Sequence, residues 1–290
     1  MKQNTRVAVV TGGNRGIGFE ICKELSKVGC RVVLTSRDEE HGKQAAAKLG
    51  ANKKNIVYHK LDVTDSKDIE SLREWVLKMY GRVDILINNA GVYLDEGTSV
   101  FNVDEKIVKE TLDVNFYGAF NICRVLVPVM RQNGYGRIVN ISSGYGAMSE
   151  MAGYHAAYRI SKAGLNALTL IMADELRDGD IKVNAVCPGW VNTHMGGKMA
   201  PVSAEKAAKD AAKASASTKK PRSYEGGFVT PVLADDSVNE LRIPLRPENL
   251  LSIPENDNAG TLITFKWLRQ DCPWKLGKAK EVLPDHDLKF

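Results

Sequence analysis

The stretch Thr11-Gly12-Gly13-Asn14-Arg15-Gly16-Ile17-Gly18 lies between an apolar run, Val7 to Val10, and a helix-like segment with apolar residues at Ile17, Ile21 and Leu25. Strand, glycine turn, helix is the order a dinucleotide site requires. Gly12 lets the chain leave the strand in a tight turn. Gly16 lets backbone approach a pyrophosphate with no Cβ in the way, and Gly18 lets the helix pack close to the strand. The helix start adds amide donors and the positive end of a dipole. Asn14, Arg15 and Ile17 fall inside the same turn and join the three glycines as cofactor-binding candidates. A plain glycine-rich turn is the competing account, because the spacing is Thr-Gly-x-x-x-Gly-x-Gly and short glycine motifs also match by chance.

Outward from this turn, strand-like and helix-like segments alternate. Strands are expected at 6–11, 31–36, 55–60, 83–88, 136–142 and 181–187, and helices at 16–28, 39–49, 66–80, 104–133 (as two helices) and 156–177. Gly29 and Gly50 fall at C-cap positions. The strands are Val/Ile/Leu runs rather than strict alternations, which suits parallel strands buried on both faces. The repeated βα order predicts an α/β fold, a doubly wound parallel sheet of Rossmann type with helices on both faces. The character changes near Gly189, and eight of the ten prolines follow residue 200. The Ala- and Lys-rich stretch 204–220 reads as a solvated helix followed by a polar loop, and 261–267 as a last strand. The expectation is one domain over 1–290, with 199–258 an irregular lid or insertion.

A chain of 290 residues can bury an ample core. Its net charge of +5 is mild and its basic residues are interspersed with acids, so nucleic acid is not an expected partner. No apolar run is long enough to span a bilayer, so no membrane is expected. The polar segment 1–6 leads straight into the first strand with no signal-peptide pattern. Five cysteines (Cys22, Cys30, Cys123, Cys187, Cys272) without metal-like spacing fit free thiols in a reducing cytoplasm and no metal site.

The strand ends carry the chemistry. Arg37 follows the second strand, where an acid would bind the adenosine ribose 2′-hydroxyl and an arginine favours a 2′-phosphate. Arg15 can approach the same spot, so the pair points to NADP rather than NAD, although Asp38 is an acid next in sequence. Asp62-Val63 follows the third strand, where the aspartate can accept from an adenine amino group; a helix N-cap region with Thr64 and Ser66 is the alternative. Asn88-Asn89-Ala90-Gly91 ends the fourth strand, where ligands bind in such sheets. In Tyr158-Arg-Ile-Ser-Lys162, i,i+4 helical spacing puts Tyr158 and Lys162 on one face. An ammonium near a phenol lowers its pKa and fits it for proton exchange at neutral pH. Ser142-Ser143 ends the preceding strand, where a hydroxyl can hold a substrate oxygen beside that phenol. Cys187-Pro188-Gly189 and Trp190-Val191-Asn192-Thr193 end the sixth strand and can shape a nicotinamide pocket, with Thr193 in reach of phosphate or carboxamide.

Taken together, these motifs resemble the short-chain dehydrogenase/reductase family, over residues 5 to about 198. More narrowly, Thr-Gly-Gly-Asn-Arg-Gly-Ile-Gly, Thr-Ser-Arg-Asp and Cys-Pro-Gly-Trp-Val are similar to its NADPH-dependent carbonyl reductase branch. The resemblance implies an oxidoreductase that passes hydride reversibly between NADPH/NADP+ and an aldehyde or ketone. It implies Tyr158 as general acid, Lys162 as the residue that lowers the Tyr158 pKa and binds the nicotinamide ribose, and Ser143 as the one that orients the carbonyl. It implies Asn115, in Asp-Val-Asn-Phe, as support for a proton-relaying water chain. The glycine-turn residues, Arg37, Asp62, Val63, Asn89, Ala90, Gly91, Pro188, Gly189, Val191 and Thr193 would line the cofactor. The Ser143–Tyr158 spacing slightly exceeds the family's common one, leaving loop 144–157 free to shape the substrate pocket. Tyr93, Tyr145, Met148, Trp190 and Met195 suggest a bulky apolar carbonyl. Long helices at 104–133 and 156–177 suit a tetramer, as in many relatives, whereas relatives in the carbonyl reductase branch are often monomers. A non-catalytic NADP-binding sensor and a divergent reductase with an incomplete pocket are the alternatives.

Overall fold

The structure is a computed structural model that describes residues 5–50 and 55–216. Six parallel strands form one sheet in the order β3-β2-β1-β4-β5-β6: β1 (Val7–Val10), β2 (Arg31–Ser36), β3 (Ile56–Lys60), β4 (Ile85–Asn88), β5 (Gly136–Ile141) and β6 (Ile181–Val186). Seven described helices accompany them: α1 (Gly16–Lys27), α2 (Glu39–Gly50), α3 (Ser66–Tyr80), α4 (Glu105–Leu112), α5 (Gly118–Gln132), α6 (Ala156–Glu175) and α7 (Ala204–Ala216). The order reverses between β1 and β4, and such a switch point opens a crevice at the carboxyl ends of the strands.

Alternate side chains of β1 serve opposite faces, because successive Cβ atoms in a strand point to opposite sides. Val7 and Val9 pack with Leu72, Leu126 and Leu165 of α3, α5 and α6, whereas Ala8 and Val10 pack with Ile21 and Leu25 of α1. Burial on both faces explains why the strands read as continuous apolar runs. Gly29 has the positive φ expected of a C-cap, but Gly50 remains within α2.

The two helices expected over 104–133 are α4 and α5, whereas the expected solvated helix changes. Between α4 and α5 the chain does not break; residues Asp113–Tyr117 form one π-helical turn that joins the two helices. That extra turn carries Asn115. The segment read as a solvated helix is α7, and it is not solvated on its inner side. Ala207, Ala208, Ala211 and Ala214 are all buried, packed onto α1 and the sheet. The small alanines let α7 approach closely, while Lys206, Lys209 and Lys213 occupy the outer side. Helix α7 therefore adds a packed layer against α1 and the sheet. The expected last strand at 261–267, the remainder of the 199–258 stretch and Cys272 lie outside the described residues. No helix among those described is long and apolar enough to cross a membrane.

Candidate active site

The glycine turn is built by close approach. Gly12 and Gly16 have φ of +63° and +56°, the left-handed region that glycine enters without strain. A Cβ on Gly18 would run into the Gly12 carbonyl oxygen and stand 2.5 Å from Asn89 Nδ2. Asn89 ties this turn to the end of β4: its Nδ2 donates to the Thr11 and Gly12 carbonyls at 2.9 and 3.1 Å. In return, Thr11 Oγ1 accepts from the Asn89 and Ala90 amides, both at 2.9 Å. The chain after β6 closes on the same place, since a Gly16 Cβ would stand 3.3 Å from the Thr193 methyl. Thus the first, fourth and sixth strand ends, far apart in sequence, meet at the switch point.

Gly91 links this cradle to the polar centre. A Cβ there would stand 3.3 Å from Asn115 Oδ1 and 3.7 Å from Lys162 Nζ. The π-turn aims Asn115 inward, where its side chain accepts from the Val92 amide at 2.8 Å and donates to the Val92 carbonyl at 2.9 Å. It also donates to Ser161 Oγ at 3.0 Å, and Ser161 donates to the Tyr158 carbonyl at 2.8 Å. Lys162 is buried and donates to the Ile141 carbonyl at 2.8 Å. Burial pulls its pKa down to about 8. Its ammonium lies 5.7 Å from the centre of the Tyr158 ring. The Tyr158 phenol is pushed up to about 12 by burial, against the lowering influence of the Ser143 hydroxyl. This reverses the expected direction, because desolvation outweighs a lysine that is itself buried and turned to Ile141.

The serine pair separates cleanly. Ser142 is buried and donates to Asn166 Oδ1 at 2.6 Å, so its hydroxyl is committed to α6. Ser143 is only half-buried, accepts from the Tyr145 amide at 3.2 Å and acts on Tyr158. Loop 144–157 is less free than its length implies. The Gly146 carbonyl accepts from Asn166, and Arg159 Nε and Nη1 donate to the Tyr154 and Glu150 carbonyls. Tyr93 and Tyr145 flank the phenol, with ring centres 4.7 and 6.3 Å from that of Tyr158. Burial also pushes Tyr93 up to about 12, but its hydroxyl is engaged with His155 Nδ1 at 2.7 Å. Met148, Trp190 and Met195 are exposed.

Other expected cofactor residues divide by what their side chains already do. Asp62 accepts from the Thr64 amide and hydroxyl at 2.9 and 2.7 Å, so one of its oxygens serves the local turn. Val63 and Val191 are buried, which leaves their backbone groups to serve a ligand. Pro188 is half-buried and Gly189 exposed, with a φ of +77°. Arg15 and Arg37 are both exposed. Arg15, Asn14 and Gly16 line a groove of about 600 Å³ together with His41, Gln44 and Lys48. Asp38 is turned into α2, where it accepts from the His41 amide at 2.9 Å and contacts His41 Nδ1 at 2.8 Å. It thus caps α2, and Glu20 lines the same groove as Arg15. Asp95, His155 and Arg159, none singled out from the sequence, also belong to this site. The signal for Asp95 was the odd helix start before Ala156, where His155 is a poor N-cap and another residue must supply the acceptor.

The chain's residues 6–203 match the model of the short chain dehydrogenase family. It belongs to that family. Proteins similar to it include (+)-neomenthol dehydrogenase of Arabidopsis thaliana, 33% identical, covering 71% of this chain and 90% of that one. Carbonyl reductase [NADPH] 1 of Sus scrofa is 36% identical over 71% of this chain and 85% of its own length. Among solved structures, salutaridine reductase from Papaver somniferum aligns with a TM-score of 0.64 and 31% identity, covering 72% of this chain and 95% of that one. The protein is therefore an oxidoreductase of the short chain dehydrogenase family.

The family implies a nicotinamide cofactor, and this chain's residues fit one. Gly12, Gly16 and Gly18 keep side chains out of the turn, so its backbone is bare where the ends of β1, β4 and β6 meet. The buried Lys162 ammonium has two N–H groups beyond its bond to the Ile141 carbonyl, the number that a diol would accept.

Proposed function

We propose that this protein reduces the carbonyl of an aldehyde or ketone, reversibly, with NADPH. The observation that carries the reading is the half-buried Tyr158 with the buried Lys162, beside Ser143, at the carboxyl end of the sheet and next to the glycine turn. NADPH, when bound, supplies the hydride. A phenol held up at about 12 is fully protonated at neutral pH, so Tyr158 is ready to give its proton to the developing alkoxide oxygen. Ser143 donates to the same oxygen and fixes the carbonyl against the phenol. Lys162 binds the ribose hydroxyls and offers positive charge as the phenolate forms. Asn115, clamped on Val92 and Ser161, fixes the π-turn behind Lys162 and supports a water relay toward it.

NADPH is preferred over NADH on this reading because Arg15 and Arg37 present positive charge at the adenosine end while Asp38 is engaged with His41. The name of the similar Sus scrofa enzyme, carbonyl reductase [NADPH] 1, supports that choice. The Tyr93 and Tyr145 rings favour a carbonyl with an apolar body. The buried, unpaired thiols Cys22, Cys30 and Cys123 suit a reducing cytoplasmic setting. Tyr158→Phe tests the reading. Turnover of NADPH against a panel of aldehydes, quinones and aryl ketones should fall about 10²- to 10⁴-fold, the usual contribution of a general acid. NADPH binding, followed by fluorescence, should stay within about twofold. Full activity in the variant overturns the assignment.

A further inference from the structure

The helix that carries Tyr158 begins in an unusual way. Its N-cap, His155, supplies no side-chain acceptor, and Tyr154 and His155 have φ of 64° and 59°. Two consecutive non-glycine residues in the left-handed region persist only where their surroundings over-determine them. Here the surroundings are a segment about 60 residues earlier in the chain. Asp95 Oδ2 accepts from the Ala157 amide at 2.7 Å and Asp95 Oδ1 from the Tyr158 amide at 3.3 Å. The Thr98 carbonyl accepts from the His155 amide at 3.0 Å. His155 Nδ1 accepts from the Gly97 amide at 3.1 Å, which makes it the acceptor of the Tyr93 hydroxyl too. Asp95 itself is 1% exposed.

We propose that Asp95 is a positioning residue for the proton donor: it caps α6 from outside the helix and thereby sets where the Tyr158 phenol stands. The inference rests on Tyr158 being that donor. The first amides of a helix have no partner within it, and a carboxylate there both satisfies them and complements the helix dipole. Without Asp95, two amides beneath the phenol lose their acceptor, and the strained turn at 154–155 loses one of its main ties. Tyr158 sits one residue past Ala157, so any loosening of this turn moves the phenol directly. A misplacement of about 1 Å in a reacting group can cost about 100-fold in rate.

The test uses the full chain with Asp95→Ala and Asp95→Asn. Three quantities are read: kcat and KM with 4-nitrobenzaldehyde and NADPH, the Kd of NADPH, and amide exchange across residues 156–162. Asp95→Ala should lower kcat about 10- to 100-fold with NADPH Kd within twofold. Exchange should quicken at Ala157 and Tyr158 and not in α3 or α5. Asp95→Asn retains an oxygen acceptor and should recover most of both losses. Unchanged kcat in both variants overturns the proposal, as does a loss of NADPH binding and of protection throughout the sheet, which would make Asp95 a general stability residue. If the wild-type chain turns over no carbonyl, the proton-donor reading itself falls, and with it Asp95 as its positioning residue. Exchange that stays slow at Ala157 in Asp95→Ala overturns the capping by itself.

Discussion

Lys162 carries a cost that the protein would be more stable without. Its ammonium is buried, and its pKa falls from the ordinary 10.5 to about 8. At about 1.4 kcal/mol per pH unit, holding the charged form inside the folded protein costs about 3 kcal/mol at pH 7. Lys162→Met keeps the length and the packing of the aliphatic stem and removes the charge. It also removes the bond to the Ile141 carbonyl, worth about 1 kcal/mol. The net expectation is a gain of about 2 kcal/mol, which for a domain of this size raises Tm by roughly 4–8 °C. The gain fades with pH in a defined window. Because the folded pKa lies below the unfolded one, the penalty is complete below pH 8 and is lost as pH rises from about 8 to 10.5, where the unfolded chain holds the extra proton. Thermal denaturation of both proteins without cofactor, at pH 7 and pH 10, reads this out. The variant should be the more stable at pH 7, and its advantage should shrink or vanish at pH 10, while turnover falls at least about 100-fold. A variant several degrees less stable at pH 7, or a gap unchanged between the two pH values, refutes the reasoning. The exchange of stability for activity is the usual one at catalytic sites.

Two further outcomes follow from particular contacts. Arg37→Asp places a negative charge where a 2′-phosphate is expected, and the ratio of kcat/KM for NADPH over NADH should fall about 100-fold or more, measured by initial rates with each cofactor; an unchanged ratio means the phosphate lies elsewhere. Ala208→Glu puts an unpaired carboxylate on the fully buried side of α7, and urea unfolding should show a loss of about 3 kcal/mol or more. A solvated helix would tolerate that change with no measurable loss.

The order of motifs, from the glycine turn through Asn88-Asn89-Ala90-Gly91 to Tyr158 and Lys162, was enough to indicate both the family and the sheet. Local physics explains this. Glycines at a tight turn, apolar runs covered on both faces and i,i+4 pairs on a helix are each specified by neighbours in sequence. Helix and strand limits agree to within about two residues for the same reason. Tertiary packing decided the rest. The alanines of α7 are compatible with a solvated helix, and only α1 and the sheet beside them show that they are buried. Ser142 and Ser143 are indistinguishable as neighbours until Asn166, 24 residues on, engages the first. Asp38 stands beside Arg37 in the chain, yet its carboxylate belongs to His41 in space. The i,i+4 spacing reports proximity to Lys162 but not the desolvation that raises the phenol and lowers the lysine together. Asp95 was legible only indirectly, as a missing N-cap acceptor before Ala156, because it lies 62 residues from the amide that it caps. What the sequence determined by itself is the scaffold and the candidates for the reacting groups, because these follow from short-range pattern. How those groups are oriented, charged and held was decided by contacts between strand ends that only the folded sheet brings together.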